Sequence, residues 1–259
     1  MTPEPIRLLH HFACTGGTLI SRIVASMPNV VLLNEIDPLS QLHLEKHKQP
    51  FFPTDLIAAL QYSRRDVNDE TIASMFMAAL SVLRTELSET GRHLVLRDHT
   101  HSKFCVGSDI ASRPSIREIC SAITASRSVV TVRHPLSSYV SLTERRWVHF
   151  YPKSLEEYAR RYIAFLDAHH DIPVFRYEDL VSDPDVVTRQ ICECLALPFV
   201  PSYERTLSAF SFSGDSGRTG NRIQERPQRP FPSATIAESE VSQSYAQLCD
   251  RLGYGKSFP

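Results

Sequence analysis

The stretch IRLLHHFACTGGTLISRIVASM, residues 6–27, decides the fold. Its first part, residues 6–13, is apolar enough to read as a buried strand. Further on, Leu19, Ile20, Ile23, Val24 and Met27 fall at the spacing of one helix face. Between the two lie Cys14, Thr15, Gly16 and Gly17. The chain therefore opens strand, glycine turn, helix. Such a turn aims backbone N–H groups and a helix N-terminus at one spot, which suits an anion. Adjacent glycines let the backbone approach that anion, and Thr15 and Thr18 offer hydroxyl donors. The alternative is a plain strand–helix turn that needs glycine. The Walker pattern GxxxxGK[ST] is absent, and no lysine precedes Lys46.

Outward from this unit the alternation continues. Residues 30–33 (VVLL) read as a second strand after a Pro28-Asn29 turn. Residues 54–62 and 69–89 read as helices, the second with Asp69 as N-cap and Gly91 just past its end. Residues 93–97, 128–132 and 173–176 read as strands. Pro135 opens a helix to about Trp147, and further helices are predicted over 154–169, 184–196 and 236–252. Alternating strands and helices imply an α/β fold, a three-layer sandwich with a central mostly parallel sheet of about five strands. The opening unit makes it P-loop-like. Residues 1–259 read as one domain without internal repeats. Residues 211–235 are rich in Gly, Pro and Arg and too long for an ordinary connection. They are predicted to be a functional flap or partly disordered.

Composition narrows the options. Hydrophobic residues make up 42% and charged residues 22%, an ordinary mix for a sizeable core. The net charge of -1 gives no global field for nucleic acid or an anionic membrane. Any anion site must be a local cluster. Of the 28 basic residues, 23 are Arg and five are Lys. Codon bias explains that as well as function does, but Arg also suits bidentate oxyanion binding. The N-terminus is polar, and no apolar run approaches about 18 residues, so neither a signal peptide nor a membrane span is predicted. The expected location is cytoplasmic. The six cysteines are scattered without a CxxC pair, which supports neither a disulfide frame nor a zinc site. Five of them, all but Cys14, read as buried small apolar residues. His43-Leu44-Glu45-Lys46-His47 resembles a displaced HExxH, but Glu45 would point away from the two histidines on a helix. No metal site is expected.

Three further segments carry chemistry. Arg133-His134-Pro135 ends a strand, where ligands bind in open α/β sheets, and Ser141 follows eight residues after the arginine. A surface ion pair is the plainer reading of Arg133. Phe175-Arg176-Tyr177-Glu178-Asp179-Leu180 ends another strand. Tyr177 there can lie against an adenine ring or simply join the core. Gly214 to Arg222, with Arg218 and Gly220, is either a flap closing on a phosphate or a solvated loop.

The order of these segments resembles that of the PAPS-dependent sulfotransferases, along nearly the whole chain. PAPS is 3′-phosphoadenosine 5′-phosphosulfate. The resemblance implies in-line transfer of a sulfuryl group to a hydroxyl or amine of a small-molecule or carbohydrate acceptor. It leaves 3′-phosphoadenosine 5′-phosphate (PAP) and requires no metal. It assigns the 5′-phosphosulfate to the loop Cys14, Thr15, Gly16, Gly17, Thr18 and Leu19. It assigns the 3′-phosphate to Arg133 and Ser141, helped by Arg218 and Gly220, and the adenine to Tyr177. One departure matters. The family loop carries a Lys or Arg where this chain has Cys14. Either Arg22, Arg97, His10 or His11 supplies the missing charge, or the site is catalytically weak. Two residues are candidates for the base that takes the acceptor's proton. Glu35 follows the second strand, and His99 follows the strand 93–97. Glu35 ranks first. The alternatives are a P-loop-type nucleotide kinase, against which the absent Walker lysine argues, and a non-catalytic nucleotide-binding relative.

Overall fold

The computed structural model describes residues 4–42, 54–63, 65, 67–122, 124–213, 223–224 and 230–255. Strand β1 (Ile6–His11) is buried along its whole length, as a central strand covered on both faces must be. It leads through the glycine turn into α1 (Gly17–Ala25) and then β2 (Val30–Ile36). Helices α2 (Leu56–Gln61) and α3 (Asp69–Glu89) precede β3 (His93–Asp98). Short elements follow: α4 (Thr100–Phe104), β4 (Val106–Gly107) and α5 (Ile116–Ser121). Then come β5 (Ser126–Val132), α6 (Pro135–Glu144), β6 (His149–Phe150) and α7 (Leu155–Ala168). The chain continues with β7 (Val174–Arg176), α8 (Tyr177–Ser182), α9 (Pro184–Leu195) and a 3-10 helix, Pro201–Ala209. It closes with α10 (Ser233–Val241) and α11 (Gln243–Leu252).

The main sheet has five strands in the order β2-β3-β1-β5-β7, and every pairing is parallel. The predicted central sheet is therefore present. All five carboxyl ends emerge at one edge, so the turns after them share one neighbourhood. Strands β4 and β6 form a separate parallel pair.

The core follows the period-2 alternation of strand side chains. On one face Leu9 and Val95 pack with Ile20, Val24 and Ile191 of α1 and α9. On the other, Leu8 and Leu96 pack with Leu80 of α3 and Ile119 of α5. On that side, towards the carboxyl edge, Phe12 and Val130 meet Phe165 and Leu248 of α7 and α11. The same alternation sends His10 and His11 to opposite faces.

Several boundaries differ from expectation for local reasons. Asn68, not Asp69, caps α3, accepting from the Thr71 N–H at 2.8 Å. The predicted helix over 236–252 is two helices. Ser242 is extended there and caps α11 by accepting from the Tyr245 N–H at 3.1 Å. Strand β2 runs on to Ile36, with an irregularity between Leu33 and Ile36. Cys105, Cys120, Cys192 and Cys249 are buried as predicted, whereas Cys194 is only half-buried against the α1–α9 core. Arg218 and Gly220, with most of the predicted flap, lie outside the described residues, as does the His43–His47 pair. No helix of the described residues is long and apolar enough to cross a membrane.

Candidate active site

The turn after β1 is shaped by its two glycines. Gly16 precedes α1 in the left-handed region, at φ 92, where glycine is favoured. A Cβ on Gly16 would fall 2.4 Å from the Tyr177 ring, and one on Gly17 2.2 Å from the His11 ring. The glycines thus make room for two side chains, a reason the sequence could not reveal. Thr15 differs from its expected use. Its hydroxyl is fully buried and donates to the Phe12 carbonyl at 2.8 Å, which ties the turn to its own strand. Leu19 is core, and its N–H bonds the Gly16 carbonyl at 3.0 Å. Thr18 sits in the first turn of α1, with Oγ1 3.5 Å from the Ser213 carbonyl. Cys14 is left-handed as well, at φ 62. Burial pushes its thiol up to about 11, against the pull of a Ser141 hydrogen bond and the Arg145 and Arg133 charges, so it is neutral.

On one side of this turn three distant segments meet. Ser141, on α6, reaches the Cys14 thiol. The Arg133 guanidinium, at the end of β5, lies 4.8 Å from the centroid of the Tyr177 ring, within cation–π range. That ring packs against Gly16. Glu178 holds the arrangement in place. It accepts from the His134 N–H at 3.0 Å and from the Tyr254 hydroxyl at 2.6 Å.

On the other side stands a polar cluster built from β1, β2 and β3. Buried Arg97 donates from Nε to His11 Nε2 at 3.0 Å and pairs with Glu35 Oε1 at 2.7 Å. It also donates to Asn34 Oδ1 at 2.7 Å and to the Ser213 carbonyl at 3.2 Å. His99 Nε2 lies 3.5 Å from Glu35 Oε2. Glu35 is held at φ 57, a left-handed value that costs a non-glycine residue about 1–2 kcal/mol. It sits within the irregular end of β2, which turns it out of the pleat. Burial first, then the Arg97 charge, hold His11 well below the ordinary histidine value, so it is the neutral acceptor for Arg97. Burial also lowers the Arg97 pKa, and Glu35 opposes that shift.

These contacts sort the candidates for the missing loop charge. Arg97 stands one ring away from Gly17, through His11. Arg22 is committed elsewhere, donating to the Leu207 carbonyl at 2.7 Å and 3.1 Å. His10 faces the opposite side of the sheet, with Nδ1 2.7 Å from Asp98 Oδ2. Sequence reasoning missed Asn34 and Ser213, whose side chains meet at 2.6 Å. It also missed the pairing of His101 Nε2 with His149 Nδ1 at 3.0 Å beside His99. Asn34 lies next to Glu35, a proximity that could have flagged it.

A parallel sheet brings a glycine turn, a helix N-terminus and two guanidinium groups to one edge of an α/β protein. The chain belongs to the Sulfotransferase family, whose family model matches residues 12–201. Among solved structures it resembles the sulfotransferase domain from the Synechococcus PCC 7002 olefin synthase. The TM-score is 0.56 at 17% identity, covering 99% of this chain and 96% of that one. It also resembles the sulfotransferase domain from the curacin biosynthetic pathway. There the TM-score is 0.51 at 18% identity, covering 98% of each chain. At such identities the likeness is one of fold. No curated protein matches the sequence significantly.

Proposed function

We propose that this sulfotransferase uses PAPS as its co-substrate and transfers the sulfuryl group in line to a hydroxyl or amine of a small-molecule or carbohydrate acceptor. One observation carries the reading. The Arg133–Tyr177–Ser141 group and the Glu35–Arg97–His99 group flank the same turn. The residues present fit the nucleotide. Arg133 and Ser141 bind the 3′-phosphate, Tyr177 lies along the adenine, and the α1 N-terminus receives the phosphosulfate. Arg97 supplies the positive charge that Cys14 cannot, close to where negative charge develops on the bridging oxygen. Glu35 accepts the acceptor's proton as the new O–S or N–S bond forms and the bridging S–O bond breaks, releasing PAP. The neutral thiol at Cys14 favours a second reading, a relative that binds the nucleotide without turnover.

Thermal shift tests the donor. PAP should raise the melting temperature progressively with concentration, without added metal, because it binds only the native state. Arg133→Ala should cost PAP about 1.5–3 kcal/mol of binding, the scale of a hydrogen bond to a charged group. The same change should barely affect adenosine 5′-phosphate, which lacks the 3′-phosphate. A shift from ATP with magnesium and none from millimolar PAP would overturn the reading in favour of a kinase. PAP binding with no turnover of PAPS would favour the non-catalytic relative.

A further inference from the structure

The face of β1 opposite His11 carries a second polar group that the sulfuryl chemistry does not use. His10 is fully buried, and its Nδ1 lies 2.7 Å from Asp98 Oδ2. Its Nε2 has no hydrogen-bond partner. His169, just past α7 and 2% exposed, has Nδ1 2.7 Å from the Phe165 carbonyl. That bond places a proton on Nδ1 and leaves the Nε2 lone pair available. The two imidazole rings are tilted against each other with centroids 4.4 Å apart. One ligand atom from each of His10, Asp98 and His169 lies within 4.8 Å of the others.

Metal-bound histidines commonly show this pattern. One ring nitrogen donates to a carboxylate or a backbone carbonyl, which fixes the tautomer and turns the other nitrogen to the metal. Here the Phe165 carbonyl does this for His169, while His10 Nδ1 and Asp98 Oδ2 face each other at 2.7 Å as a donor pair that an ion can bridge in place of their shared proton. We propose that His10, Asp98 and His169 bind one divalent first-row transition metal ion, with zinc the first candidate. Imidazole nitrogen and carboxylate oxygen suit zinc at about 2.0–2.2 Å. Tetrahedral donors at that radius lie about 3.4 Å apart, so donors up to 4.8 Å apart must draw in by as much as ~1.4 Å as the ion binds. The ion ties β1, the end of β3 and the end of α7 into one unit. Asp98 lies between Arg97 and His99, so the ion also stiffens the strand end that presents both to the cleft. The site is independent of the donor nucleotide, and it was not legible in the sequence because its ligands come from three separate elements.

The test uses full-length protein stripped with a chelator and then titrated with cobalt(II), whose visible absorption reports the ligand field. Zinc should displace the cobalt, elemental analysis should find one zinc per chain, and zinc should raise the melting temperature of the stripped protein. His169→Ala should weaken binding by more than ~100-fold, beyond the usual cost of losing an outer partner. The double variant His43→Ala/His47→Ala should bind as the wild type does. If His169→Ala does not fold, Asp98→Asn serves in its place, and the wild-type titration still decides. A stripped, folded wild type that takes up no cobalt or zinc overturns the proposal. So does binding that survives at His169 and disappears with His43 and His47. The PAP thermal shift, measured on the same stripped protein, separates failure of this site from failure of the nucleotide reading.

Discussion

The two base candidates meet beside Arg97: Glu35 Oε1 pairs with Arg97 at 2.7 Å, and Glu35 Oε2 lies 3.5 Å from His99 Nε2. The two residues therefore act as neighbours at one point rather than as rivals at two. In the proposed reaction the carboxylate accepts the proton, with His99 beside it. Glu35→Gln keeps size and polarity and removes the basic oxygen. It should lower kcat by roughly 100-fold or more, the scale of a lost general base, while PAP affinity holds. His99→Ala should lose less. A dead His99→Ala beside a fully active Glu35→Gln would reverse the roles, with His99 the base. Because Glu35 and His99 are mostly buried, at 23% and 21% side-chain exposure, each variant needs a melting curve beside its kinetics.

In the β1–loop–α1 element, strand alternation and a missing Cβ work together. His11 and Arg97 project to the α1 face, and the His11 ring occupies the space a side chain at Gly17 would need. Gly17→Ala would place its Cβ 2.2 Å from that ring, well inside contact distance. His11 would have to move, and Arg97 with it. The expected cost is about 1–3 kcal/mol in a denaturant titration, the scale of overpacking. Turnover should fall as well. The double variant Gly17→Ala/His11→Ala should be less destabilised than the sum of the singles, because the clash needs both partners. Simple additivity would mean the loop relaxes some other way. The strand–turn–helix was readable from apolar spacing alone. The collision that explains Gly17 was not, because it depends on how His11 turns once the sheet forms.

Across the whole molecule, burial of histidine sets the response to acid. Burial, acting first in each case, lowers His10 to about 3 and both His134 and His169 to about 4, and it holds His11 well below its ordinary value. An unfolded chain protonates these groups near pH ~6.5, so below that point the unfolded state binds more protons. Asp98 works the other way. Burial raises it to about 7, so the folded state keeps a proton that the unfolded state gives up. Four histidines less one carboxyl leave about three protons taken up on unfolding between pH ~6.5 and pH ~4. The melting temperature of metal-free protein should therefore fall steadily as the pH drops through that window. A flat profile would mean that the histidines are hydrated and charged in the native state.

The α/β class, the five-strand core and the turn at Cys14–Thr18 were legible because each rests on local spacing: period 2 in strands, period 3.6 in helices, glycine between them. The carboxyl-edge positions of Arg133, Tyr177 and Glu35 followed from the same pattern, since parallel strands end together. The helix break at Ser242 escaped it, because Ser242 extends the chain between two helices whose apolar periods run on. So did the partners. Asn34 and Arg97 meet 63 residues apart, and His10 and Asp98 meet 88 apart. Such pairings follow from strand order and register. Those are settled by which apolar faces bury one another, and no short stretch of the chain contains that information.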